Sequence, residues 1–198
     1  MKLIFALLML ISANAYAGDK AISKDFNYWD GVVRAVTYKQ RCYLEFDGGV
    51  ANASQRAYRR AYDYLVQDTG CTPDYISLNS KGGDVVTGID IGNHIRLVRM
   101  ATFVPADKRC NSACVLIFIG GTNRYLQGEN NANLGLHSTT QHQQCLYDNS
   151  PREKKYIRKM LPPASANLYI LQVQNGCYPM FYVRNKDALH QQFATKLF

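Results

Sequence analysis

No Cys-x-x-Cys pair occurs in this 198-residue chain. That argues against a zinc site, and no metal is expected. No Walker-type loop is present, so no nucleotide or other cofactor is expected. Internal repeats, long linkers and low-complexity stretches are absent as well. Past the first 17 residues no run is long and apolar enough to span a bilayer, which takes about 20 apolar residues. Acidic residues are the scarcer charge, 15 against 23 basic, for a formal net charge of +8. The basic residues cluster at Arg56, Arg59 and Arg60, and again at Arg152, Lys154, Lys155, Arg158 and Lys159. Such runs could bind anionic lipid or nucleic acid. No nucleic-acid motif accompanies them, and the 14 tyrosines are scattered rather than spaced as a stacking platform. They read as solvated helix faces, and no nucleic-acid partner is expected.

What is present starts with a leader. Met1-Lys2 is a short positive start, Leu3–Ile11 is an apolar run, and Ala15-Tyr16-Ala17 is an Ala-x-Ala cleavage signal. The reading is a signal peptide over 1–17 followed by one domain over 18–198; an uncleaved anchor or a buried strand is the alternative. The protein is then expected outside the cytosol, periplasmic or secreted. From Gly18 on, 181 residues remain, enough for a single substantial core. All six cysteines lie in that part. An even count in an exported chain favours disulfides, although six cysteines allow 15 connectivities. Cys110 and Cys114 bracket Ser112, which suggests a staple. Cys42 with Cys71 would tie two early elements, and Cys145 and Cys177 flank a helical segment.

Strand–helix alternation dominates the middle of the chain. Cys42–Phe46 reads as a strand closed by Asp47-Gly48-Gly49, and Ser54 is placed to cap a helix through about Gln67. Tyr75–Leu78 is a second strand running into Asn79-Ser-Lys-Gly-Gly83. From Asp84 the apolar spacing is helical, and Ala101–Val104 is a third strand. Ala113–Ile119 reads as a buried helix, with short strands at Arg124–Leu126 and Leu134–Leu136. Helices are predicted over Pro151–Met160, Ala164–Gln174 and Lys186–Phe193. Repeats of this length imply parallel β-α-β units, hence an α/β fold in one domain.

Ser112 lies at the start of the buried helix, with Gly83 29 residues before it and His137 25 residues after. A serine hydroxyl attacks a carbonyl only when a base takes its proton, and acyl transfer needs N–H donors aimed at the developing oxyanion. Glycine at 83 lets an oxygen approach the backbone closely, and a helix N-terminus presents free N–H groups and a positive dipole end. A serine in that place could also be an ordinary capping residue. His137 alone could be a satisfied, half-buried histidine. Together, each at an element boundary, the three residues read as the parts of a serine hydrolase.

Three local patterns carry a resemblance. Tyr75-Ile-Ser-Leu-Asn-Ser-Lys-Gly-Gly-Asp-Val85 resembles the "I-x-x-x-S-P-G-G-x-V" turn of the Clp protease proteolytic subunit. Cys110-Asn-Ser-Ala-Cys114 with Phe118-Ile-Gly-Gly-Thr-Asn-Arg124 resembles that family's nucleophile helix and the "G-x-x-x-x-R" after it. Leu134-Gly-Leu-His137 resembles its histidine strand. The likeness runs from about Tyr43 to Ser138 and looks closest to exported, cysteine-bearing relatives. It implies the spiral β-β-α fold of the Clp/crotonase superfamily, here with a helical C-terminal part, and self-association. Ser112 would be the nucleophile, His137 the general base, and the N–H groups of Gly83 and Ala113 the oxyanion hole. A peptide or protein would be the substrate.

The chain departs from the family pattern in three places. Lys81 stands where the family has proline, which leaves the turn less rigid and admits a Ser–Lys arrangement. The segment after His137 is polar and Gln-rich rather than glycine-rich. No carboxylate occurs near Asn175–Tyr178, where the tail alignment puts the orienting acid; Asn175 and Asp187 are the two candidates for third member. Two functions follow. One is an exported, ATP-independent serine peptidase or acyl hydrolase working through a Ser112 acyl-enzyme. The other is an inactive Clp/crotonase-like scaffold that binds a peptide or partner protein.

Overall fold

The computed structural model describes residues 21–128, 133–138, 140–141, 144–145, 150–174 and 180–197. The leader, Asn175 and Cys177 lie outside these residues, as does the side chain of Cys145.

A tight hairpin opens the described chain: β1 (Ile22–Tyr28) and β2 (Gly31–Tyr38) pair antiparallel, and β2 pairs in turn with β3 (Arg41–Gly48). In the same sheet β3 then pairs parallel with β4 (Tyr75–Asn79), and β4 parallel with β5 (Ala101–Val104). Between these strands run α1 (Asn52–Asp63), which widens into a π turn over Tyr64–Asp68, and α2 (Val85–Leu97). Next come the short strand β6 (Arg109–Asn111), α3 (Ala113–Gly120) and β7 (Arg124–Leu126). β8 (Asn133–Leu136), β9 (Thr140–Gln141) and β10 (Gln144–Cys145) lead to α4 (Pro151–Met160) and α5 (Pro163–Gln174). The end is β11 (Phe181–Val183), α6 (Asn185–His190) and β12 (Lys196–Leu197).

The main sheet has the order β1-β2-β3-β4-β5-β7-β12, and a second one is β11-β8-β6. Alternation decides which face each strand buries. Leu44 and Phe46, Ile76 and Leu78, Val104 and Leu126 point into the core. The intervening Tyr43, Tyr75 and Phe103 form an aromatic row on the other face, Tyr43 stacked on Tyr75 at 4.8 Å. All eight residues of α3 are buried, as its unbroken apolar run requires. It packs so closely on α2 that a Cβ on Gly92 would lie 2.6 Å from the Leu116 carbonyl oxygen. Arg96 closes the other end of α3, donating to the carbonyls of Ile119 and Gly120, both at 2.9 Å.

The α/β single-domain reading holds, and the central elements fall where the apolar spacing put them. Several edges differ. Helix α1 begins at Asn52 rather than at Ser54. Ser54 sits in its first turn, where its hydroxyl accepts from the Ala51 N–H at 2.9 Å and donates to the Ala51 carbonyl at 2.8 Å. The final helix stops at His190, and the tail adds β11 and β12. Both are short edge strands whose pairing is set by tertiary contact, β11 with β8 and β12 with β7, so local propensity carries little of it. Among the described residues two cross-links are formed, Cys42–Cys71 and Cys110–Cys114.

Candidate active site

The Gly82–Gly83 turn hangs from the end of β4. Ser80 ties β4 to β6: its N–H donates to the Arg109 carbonyl at 2.8 Å, and its carbonyl accepts from the Asn111 N–H at 3.0 Å. Its hydroxyl accepts from the Gly82 N–H at 3.1 Å. Both turn residues have positive φ, +95° at Gly82 and +146° at Gly83, and neither has room for a side chain. A Cβ on Gly82 would stand 2.6 Å from Cβ of Ser112, and one on Gly83 would stand 2.2 Å from the Val50 carbonyl oxygen. A single parallel bridge fixes the turn: Val50 N–H donates to Gly82 O at 2.9 Å, and Asp84 N–H donates to Val50 O at 2.8 Å. That bridge uses the peptide groups either side of Gly83 and leaves the Gly83 N–H out of it. Asp84 then caps α2 by accepting from the Thr87 N–H at 2.7 Å.

Ser112 is packed against this turn. Its backbone adopts φ 54° and ψ −125°, a conformation that costs a non-glycine residue on the order of 1–3 kcal/mol. Three features hold it there. Its N–H donates to the Gly135 carbonyl at 2.7 Å, its own carbonyl accepts from the Val115 N–H at 2.8 Å, and the Cys110–Cys114 disulfide spans it. The hydroxyl does not cap α3, so the everyday use of a serine at a helix start is set aside here. As first residue of α3, Ala113 has an N–H with no partner inside its own helix.

The parallel register Asn111↔Gly135 delivers His137 to the same place, two residues past the carbonyl that anchors Ser112. His137 is half-buried. Its Nδ1 lies 2.6 Å from the carbonyl oxygen of Ser138. Main-chain carbonyls cannot donate, so Nδ1 carries the proton and Nε2 is left as the acceptor. Among the described residues no hydrogen bond joins Ser112 to His137, and no carboxylate is bonded to the imidazole. Asp187 is on α6, exposed, and its carbonyl accepts from the Gln191 N–H. Lys81 is ion-paired to Asp30 at 3.2 Å with its side chain 65% exposed, and makes no hydrogen bond to Ser112 among the described residues.

No family model matches the chain, and no curated protein matches it. Solved structures do. A variant of the membrane-bound stomatin-specific protease 1510-N superposes with a TM-score of 0.56 at 13% identity, over 78% of this chain and 77% of that one. A second variant of that protease, in complex with a substrate peptide, gives 0.56 at 14% identity over 78% and 73%. A ClpP1 variant from Listeria monocytogenes gives 0.53 at 16% identity over 78% and 89%. The chain has the Clp/crotonase fold. At these identities the likeness carries the fold, and the chemistry has to be argued from the residues.

Two buried polar residues have surroundings that their places in the motifs do not show. Asn111, directly before Ser112, is 7% exposed, and its Oδ1 has no hydrogen-bond partner among the described residues. Gly135 makes room for it: a Cβ there would lie 2.5 Å from that oxygen. Arg124 is buried and donates to the carbonyls of Phe193 at 2.6 Å, Gln192 at 3.1 Å and Gly121 at 3.2 Å. Burial, and then the charge of Arg96, pull its pKa down to about 10. It fastens the tail that β12 adds to the sheet, so the arginine of the "G-x-x-x-x-R" pattern is structural here. Among the described residues no group of three or more His, Cys, Asp or Glu side chains could hold a metal ion.

Proposed function

We propose that this protein is a serine peptidase or related acyl hydrolase that works through an acyl-enzyme on Ser112. The observation that carries the reading is Ser112 itself: strained, half-buried, at a helix N-terminus, and with its hydroxyl unused for capping. In the reaction, His137 Nε2 takes the hydroxyl proton as Oγ attacks the substrate carbonyl. The oxyanion is received by the N–H groups of Gly83 and Ala113. Collapse expels the amine or alcohol, which takes the proton from His137, and water activated by the same nitrogen releases the acid. The Ser138 carbonyl replaces a third side chain by holding Nδ1–H, so the machinery is a dyad. Apo geometry at such sites is commonly long and tightens with substrate, so the lack of a Ser112–His137 hydrogen bond among the described residues is compatible with this role.

The disulfides Cys42–Cys71 and Cys110–Cys114 favour an oxidising compartment. With the leader, they support an exported protein cleaved between Ala17 and Gly18, and an intact mass retaining 1–17 would refute that. No helix among the described residues is long and apolar enough to cross a membrane. Outside the cytosol the enzyme would act without ATP, on peptides or loose segments of proteins. The scaffold reading is favoured by one feature, an imidazole that among the described residues has neither a carboxylate nor the serine as partner.

A fluorophosphonate separates the two. Wild type is expected to label at one residue, Ser112→Ala to lose the label, and His137→Ala to react about 10²–10⁴-fold more slowly. Folded wild-type protein that stays unlabelled would establish the scaffold.

A further inference from the structure

Lys81 sits where the turn would be stiffened by proline in the resembling family, directly ahead of two glycines at positive φ. A Lys-Gly-Gly segment is the most mobile kind of backbone, and each glycine must be held against a large entropy. Something outside the turn has to hold it if the Gly83 N–H is to point at one place. The β1–β2 hairpin is in position to do so through a single residue. Asp30 accepts from the Gly49 N–H at 3.1 Å with its main-chain carbonyl, and its carboxylate lies 3.2 Å from Lys81 Nζ. That carboxylate rests over Gly49: a Cβ there would stand 2.1 Å from Asp30 Oδ2. Tyr28, two residues earlier, donates from its phenol to the Gly49 carbonyl at 3.0 Å. Burial first, then the carboxylates of Asp30 and Asp47, push the Tyr28 phenol upward, which keeps it a donor. Gly49 leads into Val50, and Val50 makes the bridge to the turn. A second tie runs alongside, Asn79 Nδ2 donating to Asp47 Oδ1 at 3.0 Å.

We propose that Asp30 and Lys81 are a positioning pair, an ionic clamp by which the β1–β2 hairpin holds the Lys81–Gly83 turn and aims the Gly83 N–H. The inference rests on the hydrolase reading and adds to it residues that never touch substrate. Asp30 is the anchor, its side chain only 25% exposed, and Lys81 is the exposed arm that reaches back to it. The pair stands in for the stiffness of proline with a bond that salt can weaken. Partly exposed pairs are modest, so losing one charge should slow the reaction by about two- to fivefold.

The test is the second-order rate of fluorophosphonate labelling of the full chain, at low and high salt, together with thermal midpoints. Asp30→Asn and Lys81→Gln are expected to label about two- to fivefold more slowly at low salt and to lose the salt dependence of the wild type. Lys81→Arg is expected to restore both. The chain has a single tryptophan, Trp29, next to Asp30 at the hairpin tip and 77% exposed, so its fluorescence anisotropy reports the hairpin independently of catalysis. It should fall in both charge-removing variants and recover in Lys81→Arg. Unchanged labelling and anisotropy in Asp30→Asn and Lys81→Gln would overturn the clamp, as would a rate loss matched by a falling thermal midpoint. A wild type that never labels, with anisotropy still falling in those variants, would overturn the hydrolase reading and leave the clamp standing.

Discussion

The half of the candidate site that holds Ser112 and the half that holds His137 are built to different standards. On the Ser112 side every constraint is doubled. The Gly82–Gly83 turn is bridged to Val50 and packed on Ser112, Ser112 is anchored to Gly135, and Cys110–Cys114 closes a ring around it. Beneath it α3 is wholly buried, in backbone contact with α2 and tied off at its far end by Arg96. On the His137 side the described residues show a four-residue strand, one half-buried ring and one bond to a neighbouring carbonyl. A strained φ/ψ survives only where its surroundings over-determine it, and Ser112 has such surroundings. An imidazole needs less. One acceptor on Nδ1 sets its tautomer.

The two disulfides offer the sharpest way to break this contrast, because they differ in what they constrain. Cys42–Cys71 closes a separation of 29 residues away from the site, and Cys110–Cys114 closes one of 4 around the nucleophile. Loop-closure entropy assigns the first about 3.5 kcal/mol of stability and the second about 2 kcal/mol. Cys42→Ala with Cys71→Ala should therefore lower the thermal midpoint more, yet leave fluorophosphonate labelling close to wild type. Cys110→Ala with Cys114→Ala should lower the midpoint less and slow labelling about tenfold or more, by releasing the Ser112 backbone. If the two double variants lose labelling in proportion to stability, the nucleophile turn is not specially built and the contrast fails.

The histidines make a second comparison, of smaller effect. His94, on α2, is edge-on to Tyr58 and Tyr62, and its Nδ1 is 2.7 Å from the Tyr58 hydroxyl. Burial, with the charge of Arg59 adding to it, pulls its pKa from 6.5 to about 4. Burial also pushes the Tyr58 phenol up, so the hydroxyl donates and the neutral ring accepts. An unfolded chain protonates this histidine near pH 6.5 while the folded one waits until about 4. Its contribution is thus complete above pH 6.5, falls as the pH drops towards 4, and levels off below that. Thermal midpoints measured from pH 7 to 4 should decline, and His94→Phe should flatten part of that decline. An identical slope in the variant would show that His94 does not couple α1–α2 packing to protons.

How far the sequence could be read follows the same division. Gly82, Gly83, Asp84 and the Cys-Asn-Ser-Ala-Cys run are local signals: positive φ, a capping carboxylate and a short ring all leave marks within a few residues. They carried the turn, α2, the buried α3 and the placement of Ser112. The hairpin β1–β2 was not singled out, although Val32, Val33, Val36 and Thr37 are strand formers. The role of Asp30 was hidden for a deeper reason, since its partners Gly49 and Lys81 are distant in sequence and meet only through β3 and β4. The partner of His137 Nδ1, the Ser138 carbonyl, leaves no mark in the sequence, because a main-chain carbonyl has no residue type. Asp187 is the carboxylate at a tempting spacing from His137, and Asn175 the amide that the tail alignment offers.

Asp187 gives the smallest expected effect and the most discriminating one for the base half. Spacing alone, 50 residues past His137, makes it a tempting third member. Its side chain is exposed on α6, and among the described residues it has no hydrogen bond to the imidazole. A histidine whose Nδ1–H is already held by the Ser138 carbonyl has no second proton on that nitrogen to offer a carboxylate. Asp187→Asn should therefore change labelling by less than about twofold and stability by less than about 0.5 kcal/mol, as surface substitutions do. An orienting aspartate would behave otherwise, since its amide replacement holds the wrong tautomer and costs about 10⁴-fold in Ser-His-Asp proteases. Labelling rates of Asp187→Asn and wild type, compared at equal folded fraction, decide between a dyad and a triad. A loss of a hundredfold or more with an unchanged thermal midpoint would put Asp187 on the imidazole and take the Ser138 carbonyl out of the mechanism.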